Sequence, residues 1–376
     1  MSPHDFDFSE VLRQMVETRA SDVHLTAGVP PMIRDKGRIR PMEGFPVLNT
    51  QQTREVVYGI LNDDQRKRFE VEQQLDFAYA IPQVARFRVN CFFQRGAVSA
   101  AFRLIPHEIP ALDSLGVPPV LRELTQKPRG FVLVTGPTGS GKSTTLAAMI
   151  DAINVEREDH ILTIEDPIEF LHRHKRSIVN QREVGSDAPD FARGLRAALR
   201  QDPDVILVGE MRDLETVSTA LTAAETGHLV FATLHTQSTA QTVDRVIDVF
   251  PPEQQAQVRT QLSIALQGIV TQQLLPTSDG RGRVVACEVL IPTPAIRNLI
   301  REGKTHQIYA ALQTSGAIGM QTMDADLARL VRGGKIGRQL AEQRASVPEE
   351  LSRLLGGEAA VAGAAPVPAF ASTNGG

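Results

Sequence analysis

The chain is short of cysteine, of long apolar runs and of excess charge, and each shortage excludes a class of protein. Its 376 residues include only two cysteines, Cys91 and Cys287, which are far apart and match no metal-ligand spacing. Neither a disulfide framework nor a zinc site is therefore expected, and two buried thiols suit a reducing cytoplasm. No apolar stretch reaches the roughly 18 residues that suggest a membrane-spanning helix. The acidic segment 1–10 does not resemble a secretory signal, so we expect a cytoplasmic protein with no integral membrane segment.

The charge balance and the aromatic content argue against a nucleic-acid partner. The chain has 40 basic and 44 acidic residues, a formal net charge of −4, no tryptophan and three tyrosines. A motor that moves DNA or RNA needs a basic channel or aromatic stacking platforms. We therefore predict that this chain binds no nucleic acid.

The chain is long enough for two domains with appendages. Residues 1–105 mix helical and strand patterns, and residues 106–119 contain four prolines, which predicts a linker. In residues 120–355, short apolar runs alternate with longer amphipathic segments, a pattern typical of a mostly parallel sheet covered by helices. The Ala, Gly and Pro-rich segment 356–376 is predicted to be a disordered tail.

A phosphate-binding loop is the strongest motif in the sequence. The residues that form or follow it, and that we predict to bind ATP or GTP, are Gly136, Pro137, Thr138, Gly139, Ser140, Gly141, Lys142, Ser143 and Thr144. Its glycines allow positive φ, so that successive N–H groups turn towards phosphate oxygens. The lysine supplies a point charge, and Ser143 offers its hydroxyl to Mg²⁺. An apolar strand at 131–135 precedes the loop and a helix at 144–153 follows it, which is the order that this motif needs.

Carboxylates follow two further apolar runs of the second domain. Glu165 comes directly after the run 161–164, and Glu210 follows the run 205–208 after a glycine. Since ligands bind beyond the carboxyl ends of parallel strands, we expect both side chains near the P-loop. ATP hydrolysis needs a metal ion and a group that activates water. We predict that Glu165 activates the attacking water. Glu210 is predicted to bind Mg²⁺ indirectly, through water molecules bound to the ion. An exchange of these two roles remains open.

Two histidines, His228 and His235, flank the apolar run 229–233. Neither has a partner at metal-ligand spacing. Their position predicts that they sense the γ-phosphate or a neighbouring subunit, and a purely structural role is the alternative.

Two arginines are predicted to face each other in the first domain. The segments 86–93 and 98–104 alternate in character around Arg95-Gly96, which predicts a β-hairpin. A turn centred there pairs apolar residues on one face and places Arg88 opposite Arg103 on the other. Like charges in this position are destabilising unless an anion or a carboxylate lies between them. A phosphate bound to a neighbouring subunit would supply that anion, and pairing with local acidic residues is the alternative.

From about residue 21 to about residue 330, the sequence resembles the secretion ATPases, and among them the ATPases that retract type IV pili. The shared segments are the P-loop, the acidic box 163–169, the strand ending at Glu210 and the histidine box 226–236. An octapeptide adds the most specific likeness, and it consists of Ala295, Ile296, Arg297, Asn298, Leu299, Ile300, Arg301 and Glu302. By itself this octapeptide indicates only a helix with an apolar face, whereas in the family it is associated with retraction.

The resemblance implies an α/β protein in which a RecA-like P-loop ATPase domain follows a smaller, α+β, PAS-like domain. It further implies a homohexameric ring with ATP and Mg²⁺ at subunit junctions, reached by Arg88 and Arg103, with Glu165 as the general base. The expected partners are the type IV pilus machinery and a platform protein at the inner face of the cytoplasmic membrane.

Several other functions stay open at this point. An ATPase that assembles pili or drives type II secretion shares the core, but such enzymes typically carry an additional N-terminal domain and a four-cysteine zinc site. A paralogous ATPase with an accessory role in retraction is harder to exclude from the sequence. A nucleic-acid translocase, a small-molecule kinase and a protein that uses ATP only as a structural ligand are more distant alternatives.

Overall fold

The computed structural model describes residues 7–18, 20–35, 38–81, 84–105 and 108–356. Its strands are β1 Asp22–Leu25, β2 Met32–Asp35, β3 Arg38–Pro41, β4 Gln74–Ile81, β5 Ala85–Gln94, β6 Ala97–Ile105, β7 Gly130–Thr135, β8 His160–Glu165, β9 Ile178–Glu183, β10 Val205–Val208, β11 Leu229–Leu234, β12 Leu266–Pro276 and β13 Arg283–Leu290. Its helices are α1 Phe8–Glu17, α2 Thr50–Ile60, α3 Asp63–Glu72, α4 Val120–Thr125, α5 Lys142–Glu156, α6 Phe191–Ala198, α7 Leu214–Glu225, α8 Thr239–Asp248, α9 Pro252–Ala265, α10 Pro294–Arg301, α11 Ile308–Thr314, α12 Met323–Arg332, α13 Arg338–Arg344 and α14 Pro348–Leu354.

The strands form two sheets. The first is antiparallel, with the order β3-β2-β1-β6-β5-β4. The second has seven strands in the order β13-β12-β7-β11-β10-β8-β9, and its recorded strand pairs are parallel except for β12 with β13. The predicted mixed α/β class with a mostly parallel sheet is therefore confirmed.

The predicted segments around the P-loop are confirmed. The apolar runs at 131, 161, 205 and 229 form β7, β8, β10 and β11, and the helix after the loop is α5. All six residues of β7 and of β11 are buried, because helices cover both faces of a parallel sheet.

The predicted hairpin is also confirmed, including its register. Strands β5 and β6 pair Phe87 with Leu104 and Val89 with Phe102, and Arg88 lies opposite Arg103. Phe87, Val89 and Phe102 are fully buried in the core of the antiparallel sheet. The apolar face of the hairpin therefore fixes which residues the other face exposes.

The described residues divide into two compact units. One takes in the chain up to residue 110 together with 153–210, and the other takes in 111–152 together with the chain from 211 onwards. The predicted domain boundaries at 105 and 119 stay a prediction. Residues 106, 107 and 357–376 lie outside the described residues, and these include nearly all of the predicted tail.

Both cysteines are buried and unpaired, as expected. Burial raises the pKa of the Cys91 thiol to about 12, and it raises the pKa of Cys287 well above its ordinary value. Both are therefore neutral at physiological pH and behave as small apolar side chains.

Candidate functional site: a P-loop and two strand-end carboxylates

The P-loop joins β7 to α5 within the second unit. Gly136, Gly139 and Gly141 have φ of 137°, 79° and 90°, as the motif predicted. Gly136 has a second constraint, because a Cβ there would lie 2.3 Å from the carbonyl oxygen of Gln272 on β12. The loop therefore lies directly against a neighbouring strand, and only glycine fits at that point.

The lysine and the hydroxyls of the loop lie at the start of α5. Lys142 Nζ donates hydrogen bonds to the carbonyl oxygens of Gly136 at 2.7 Å and Pro137 at 3.1 Å. Ser143 and Thr144 lie in the first turn of the helix and are half-buried. A helix N-terminus preceded by such a loop is a binding site for phosphate groups.

Polar side chains beneath the loop were not predicted from the sequence. Gln272 is buried, and its Nε2 donates to Thr145 Oγ1 at 2.9 Å. The hydroxyls of Thr135 and Thr271 form a buried hydrogen bond of 2.8 Å. These bonds link β7, β12 and α5 under the loop. Since Gln272 is 127 residues away from Thr145 in the chain, no sequence motif could have revealed the pair.

Glu165 ends β8 in the first unit and is half-buried. Its Oε1 accepts hydrogen bonds from Thr163 Oγ1 at 2.6 Å and from Gln181 Nε2 at 3.0 Å. Desolvation raises the pKa of this carboxyl, and the two hydrogen bonds and the Glu169 amide oppose the rise without cancelling it. A carboxylate whose pKa is raised is a stronger base, which suits a proton acceptor.

Glu210 follows β10 and is half-buried, and it lies in the same unit as Glu165. Strand β10 pairs in parallel with β8, so that Val208 lies beside Ile164. The N–H of Gly209 then donates to the Ile164 carbonyl at 2.8 Å. The structure therefore brings the ends of these two strands together, and the expected closeness of both carboxylates to the P-loop stays a prediction.

An ion pair that the sequence did not suggest lies next to the acidic box. Glu183 on β9 is almost fully buried, and its Oε2 accepts from Arg86 Nη2 at 2.9 Å and from the Ile168 amide at 3.2 Å. Arg86 belongs to β5 of the antiparallel sheet. Within the first unit, the Glu183 carboxylate therefore connects β5 with the loop that follows Glu165.

The two histidines lie at opposite ends of β11. Because β11 runs parallel to β7, Leu234 lies beside Thr135, next to the P-loop, and Leu229 lies beside Gly130. His235 therefore follows the end nearest the loop. His228 lies at the other end, about 20 Å away for a six-residue strand, and its Nδ1 is 3.0 Å from the Ala223 carbonyl. The structure thus contradicts a γ-phosphate contact of His228 in its own chain. A contact with a neighbouring subunit stays a prediction.

Arg88 and Arg103 each have an acidic neighbour in the same chain. Arg103 Nε lies 2.8 Å from Asp22 Oδ1, and Arg88 Nε lies 3.8 Å from Asp76 Oδ1. Both guanidinium groups stay exposed, with 68% and 45% of the side chain accessible. The local pairing that the sequence left as an alternative is therefore present. The Arg88–Asp76 pair is exposed on both sides and is therefore weak, whereas Asp22, the partner of Arg103, is almost fully buried.

The octapeptide forms most of α10, with Ile296 and Ile300 fully buried. Arg297 extends to the end of α9, where Nη1 donates to the carbonyls of Ser263 and Ile264 and Nη2 donates to that of Leu266. Burial lowers the pKa of this guanidinium, and Arg301 lowers it further. The exposed residues of the octapeptide are Ala295, Asn298, Arg301 and Glu302.

Comparison with known proteins identifies the family. Residues 77–335 match the family model described as type II/IV secretion system protein. The chain belongs to this family. It is 54% identical to the type IV pilus retraction ATPase PilT of Pseudomonas aeruginosa over 91% of this chain and 99% of that protein. It is 51% identical to a twitching motility protein of Neisseria gonorrhoeae over 89% of this chain and 91% of that protein.

A solved structure of the same family supports the fold. The crystal structure of the pilus retraction motor PilT with bound ADP has a TM-score of 0.88 and 52% identity, and it covers 93% of this chain and all of that one. The predicted fold class, a RecA-like ATPase domain preceded by a smaller domain, is confirmed. This member of the secretion system family is an ATPase. Among its described residues, no helix is long and apolar enough to cross a bilayer.

Proposed function

We propose that this secretion ATPase is the motor that hydrolyses ATP to retract type IV pili and thereby powers twitching motility. The observation that carries the proposal is the similarity to PilT along nearly the full length of both chains. The working form is a homohexameric ring in the cytoplasm. It docks on a platform protein at the inner face of the cytoplasmic membrane and acts on the pilus machinery.

The proposed chemistry divides the site residues into three roles. The P-loop and Lys142 bind the phosphates of ATP. Glu165 accepts a proton from the attacking water, which its raised pKa favours. His235 lies at the P-loop end of β11 and responds to the γ-phosphate.

Ser143 and Glu210 offer the hydroxyl and carboxylate oxygens that Mg²⁺ prefers, so the residues fit this ion. Ser143 would hold it directly and Glu210 through water. When bound, the ion neutralises charge that develops on the phosphate oxygens.

The proposed role of Glu165 is testable in purified protein. Glu165→Ala is expected to retain ATP binding and to lose turnover by about 100-fold or more, since a general base contributes about that much. Steady-state hydrolysis together with binding of a labelled ATP analogue measures both properties. Near-normal turnover in a variant that binds ATP normally would remove the assignment.

The octapeptide is proposed to transmit force to the platform protein. The support is its division into two faces. Ile296, Ile300 and Arg297 anchor α10 to the rest of the chain, while Asn298, Arg301 and Glu302 point to solvent. An exposed polar face of this kind can form the polar rim of a contact with a partner.

The direction of the motor is tested in cells that lack this gene. Surface pili are counted and colony spreading is measured in the deletion strain, complemented with wild type or with Lys142→Ala. Retraction predicts abundant pili without spreading, rescued by wild type alone. Bare cells would mean that the chain extends pili, and full spreading in the deletion strain would exclude it as the main retraction motor.

A further inference from the structure

The edge strand β9 places an amide side chain against the carboxylate of Glu165. Strands β8 and β9 pair in parallel, and Gln181 lies directly beside Thr163 in that register. Thr163 precedes Glu165 by two residues, so it lies on the same face of β8. Register and alternation thus bring both donors to one oxygen, Glu165 Oε1.

Both N–H groups and the carbonyl oxygen of the Gln181 side chain form hydrogen bonds. Nε2 donates to Glu165 Oε1 at 3.0 Å and to the Phe170 carbonyl at 2.8 Å, and Oε1 accepts from the His172 amide at 2.8 Å. The reversed amide would direct its oxygen at two acceptors and its NH₂ group at a donor. The orientation of Gln181 is therefore determined by its neighbours.

This arrangement fixes the orientation of the carboxylate. Oε1 accepts hydrogen bonds from Thr163 and Gln181, and the Glu169 amide adds a further hydrogen bond to the carboxylate. It also affects ionisation, because desolvation raises the pKa of Glu165 while the bonds from Thr163 and Gln181 lower it. The negative charge of Glu169 raises the pKa of Glu165. Two other carboxylates belong to the neighbouring strands: Glu183, at the end of β9, is paired with Arg86, and Glu210 follows β10.

We propose that Gln181 is the positioning residue of the catalytic base, holding Glu165 Oε1 so that the carboxylate keeps the orientation in which it takes a proton from the attacking water. The inference rests on the proposed role of Glu165. Gln181 acts through Glu165 and through the loop that follows it, since the same amide also binds Phe170 and His172. Movement of this loop would therefore change the orientation of the base.

Two variants and one control test the proposal in the full-length protein. Gln181→Glu keeps the acceptor for the His172 amide and replaces the donor to Glu165 with an oxygen. Gln181→Leu removes the amide at similar size. Asn180→Leu removes the neighbouring amide on β9, which is exposed and points to the other face. Each substitution is also made in a Glu165→Gln background, and steady-state and single-turnover ATP hydrolysis are measured.

The expected result is a loss of kcat of about tenfold or more in both Gln181 variants, with KM for ATP unchanged, because the base is misaligned while nucleotide binding is intact. Asn180→Leu keeps kcat within about twofold of wild type. In the Glu165→Gln background, the Gln181 substitutions cause no further loss, since residues that act through one group are not additive.

Losses that multiply in the double variants would show that Gln181 acts independently of Glu165 and would overturn the proposal. Wild-type turnover in Gln181→Glu, or an equal loss in Asn180→Leu, would overturn it as well. If Gln181→Leu fails to fold, Gln181→Glu alone decides. If Glu165→Gln by itself retains turnover, the proposed base is wrong, and the positioning role is then excluded together with it.

Discussion

At the scale of single residues, Gly209 explains why this chain has Gly-Glu where many P-loop enzymes have aspartate at the end of the strand. A Cβ at residue 209 would lie 3.2 Å from both Glu165 Cα and the Ile164 carbonyl oxygen. That distance is tighter than most real contacts of a Cβ atom. The absence of a side chain lets the end of β10 lie against the residue that carries the proposed base, and the carboxylate is moved to Glu210.

Gly209→Ala is therefore expected to displace Glu165 and to lower ATP turnover several-fold, with nucleotide binding retained, because positional errors of about 1 Å strongly affect catalysis. Turnover and analogue binding are measured side by side. Gly59→Ala is the control, since a Cβ in the α2 helix meets no atom within 4 Å. That change is expected to be neutral or to stabilise by about 0.5–1 kcal/mol. Full activity in Gly209→Ala would contradict the argument from spacing.

A second residue-scale prediction concerns Asp324, which is fully buried at the start of α12. Its carboxylate accepts hydrogen bonds from Tyr309 Oη at 2.9 Å and from the amides of Ser346 and Val347 at 2.8 and 3.1 Å. Asp324→Ala is expected to lower the free energy of unfolding by about 2 kcal/mol or more, because three hydrogen bonds to a buried carboxylate are lost. Tyr309→Phe removes one of the three bonds and is expected to cost about 1 kcal/mol.

Chemical denaturation followed by circular dichroism measures both variants. An effect of Tyr309→Phe as large as that of Asp324→Ala would mean that the carboxylate does not act as a shared acceptor for the three donors.

At the scale of elements, the octapeptide helix depends on one arginine for its attachment. The carbonyl groups at the end of a helix lack partners within the helix, and Arg297 supplies donors to those at the end of α9. A guanidinium group donates in a fixed fork, which a lysine cannot reproduce. Arg297 therefore attaches α10 to α9 and to the beginning of β12.

Arg297→Lys and Arg297→Ala are both expected to destabilise the protein, by about 1–3 kcal/mol, because several carbonyl groups lose a charged donor. Arg301→Ala is the matched control on the same helix. Arg301 is exposed, and its hydrogen bond to Asn298 is long, at 3.5 Å. This variant is expected to unfold like wild type while failing to restore spreading. Thermal unfolding and complementation distinguish the two effects. Equal unfolding temperatures for the Arg297 and Arg301 variants would refute the anchoring role.

At the scale of the whole molecule, the exposed arginine pair bears on how subunits cooperate. Arg88 and Arg103 lie on the same face of their hairpin with exposed guanidinium groups, and the partner of Arg88 in its own chain is weak. If they reach the nucleotide of a neighbouring subunit, a ring needs the arginines of one subunit and the P-loop of the next.

Mixing Arg88→Ala or Arg103→Ala subunits with Lys142→Ala subunits is therefore expected to restore part of the ATPase activity that each variant lacks alone. In a mixed ring, some junctions combine intact arginines with an intact P-loop. Turnover is measured across mixing ratios, and native mass spectrometry confirms that mixed rings form. Mixed rings with no activity at any ratio would leave the trans contact without support.

The sequence alone determined the elements whose residue pattern leaves few alternatives. The P-loop was predictable because its glycines, lysine and serine each have a local backbone or charge requirement, and the hairpin register was predictable because apolar residues must share one face. The octapeptide was recognisable only by resemblance, since its periodicity indicates nothing more than a helix.

The tertiary structure decided the contacts between residues that are distant in the chain. Gln181 binds Glu165 only because β9 pairs with β8 in one register, and Gln272 supports the P-loop only because β12 lies beside β7. His228 and His235 look equivalent in the sequence, but the direction of β11 separates them by the length of a strand. Local patterns specify what each segment can form, whereas strand pairing selects which side chains meet.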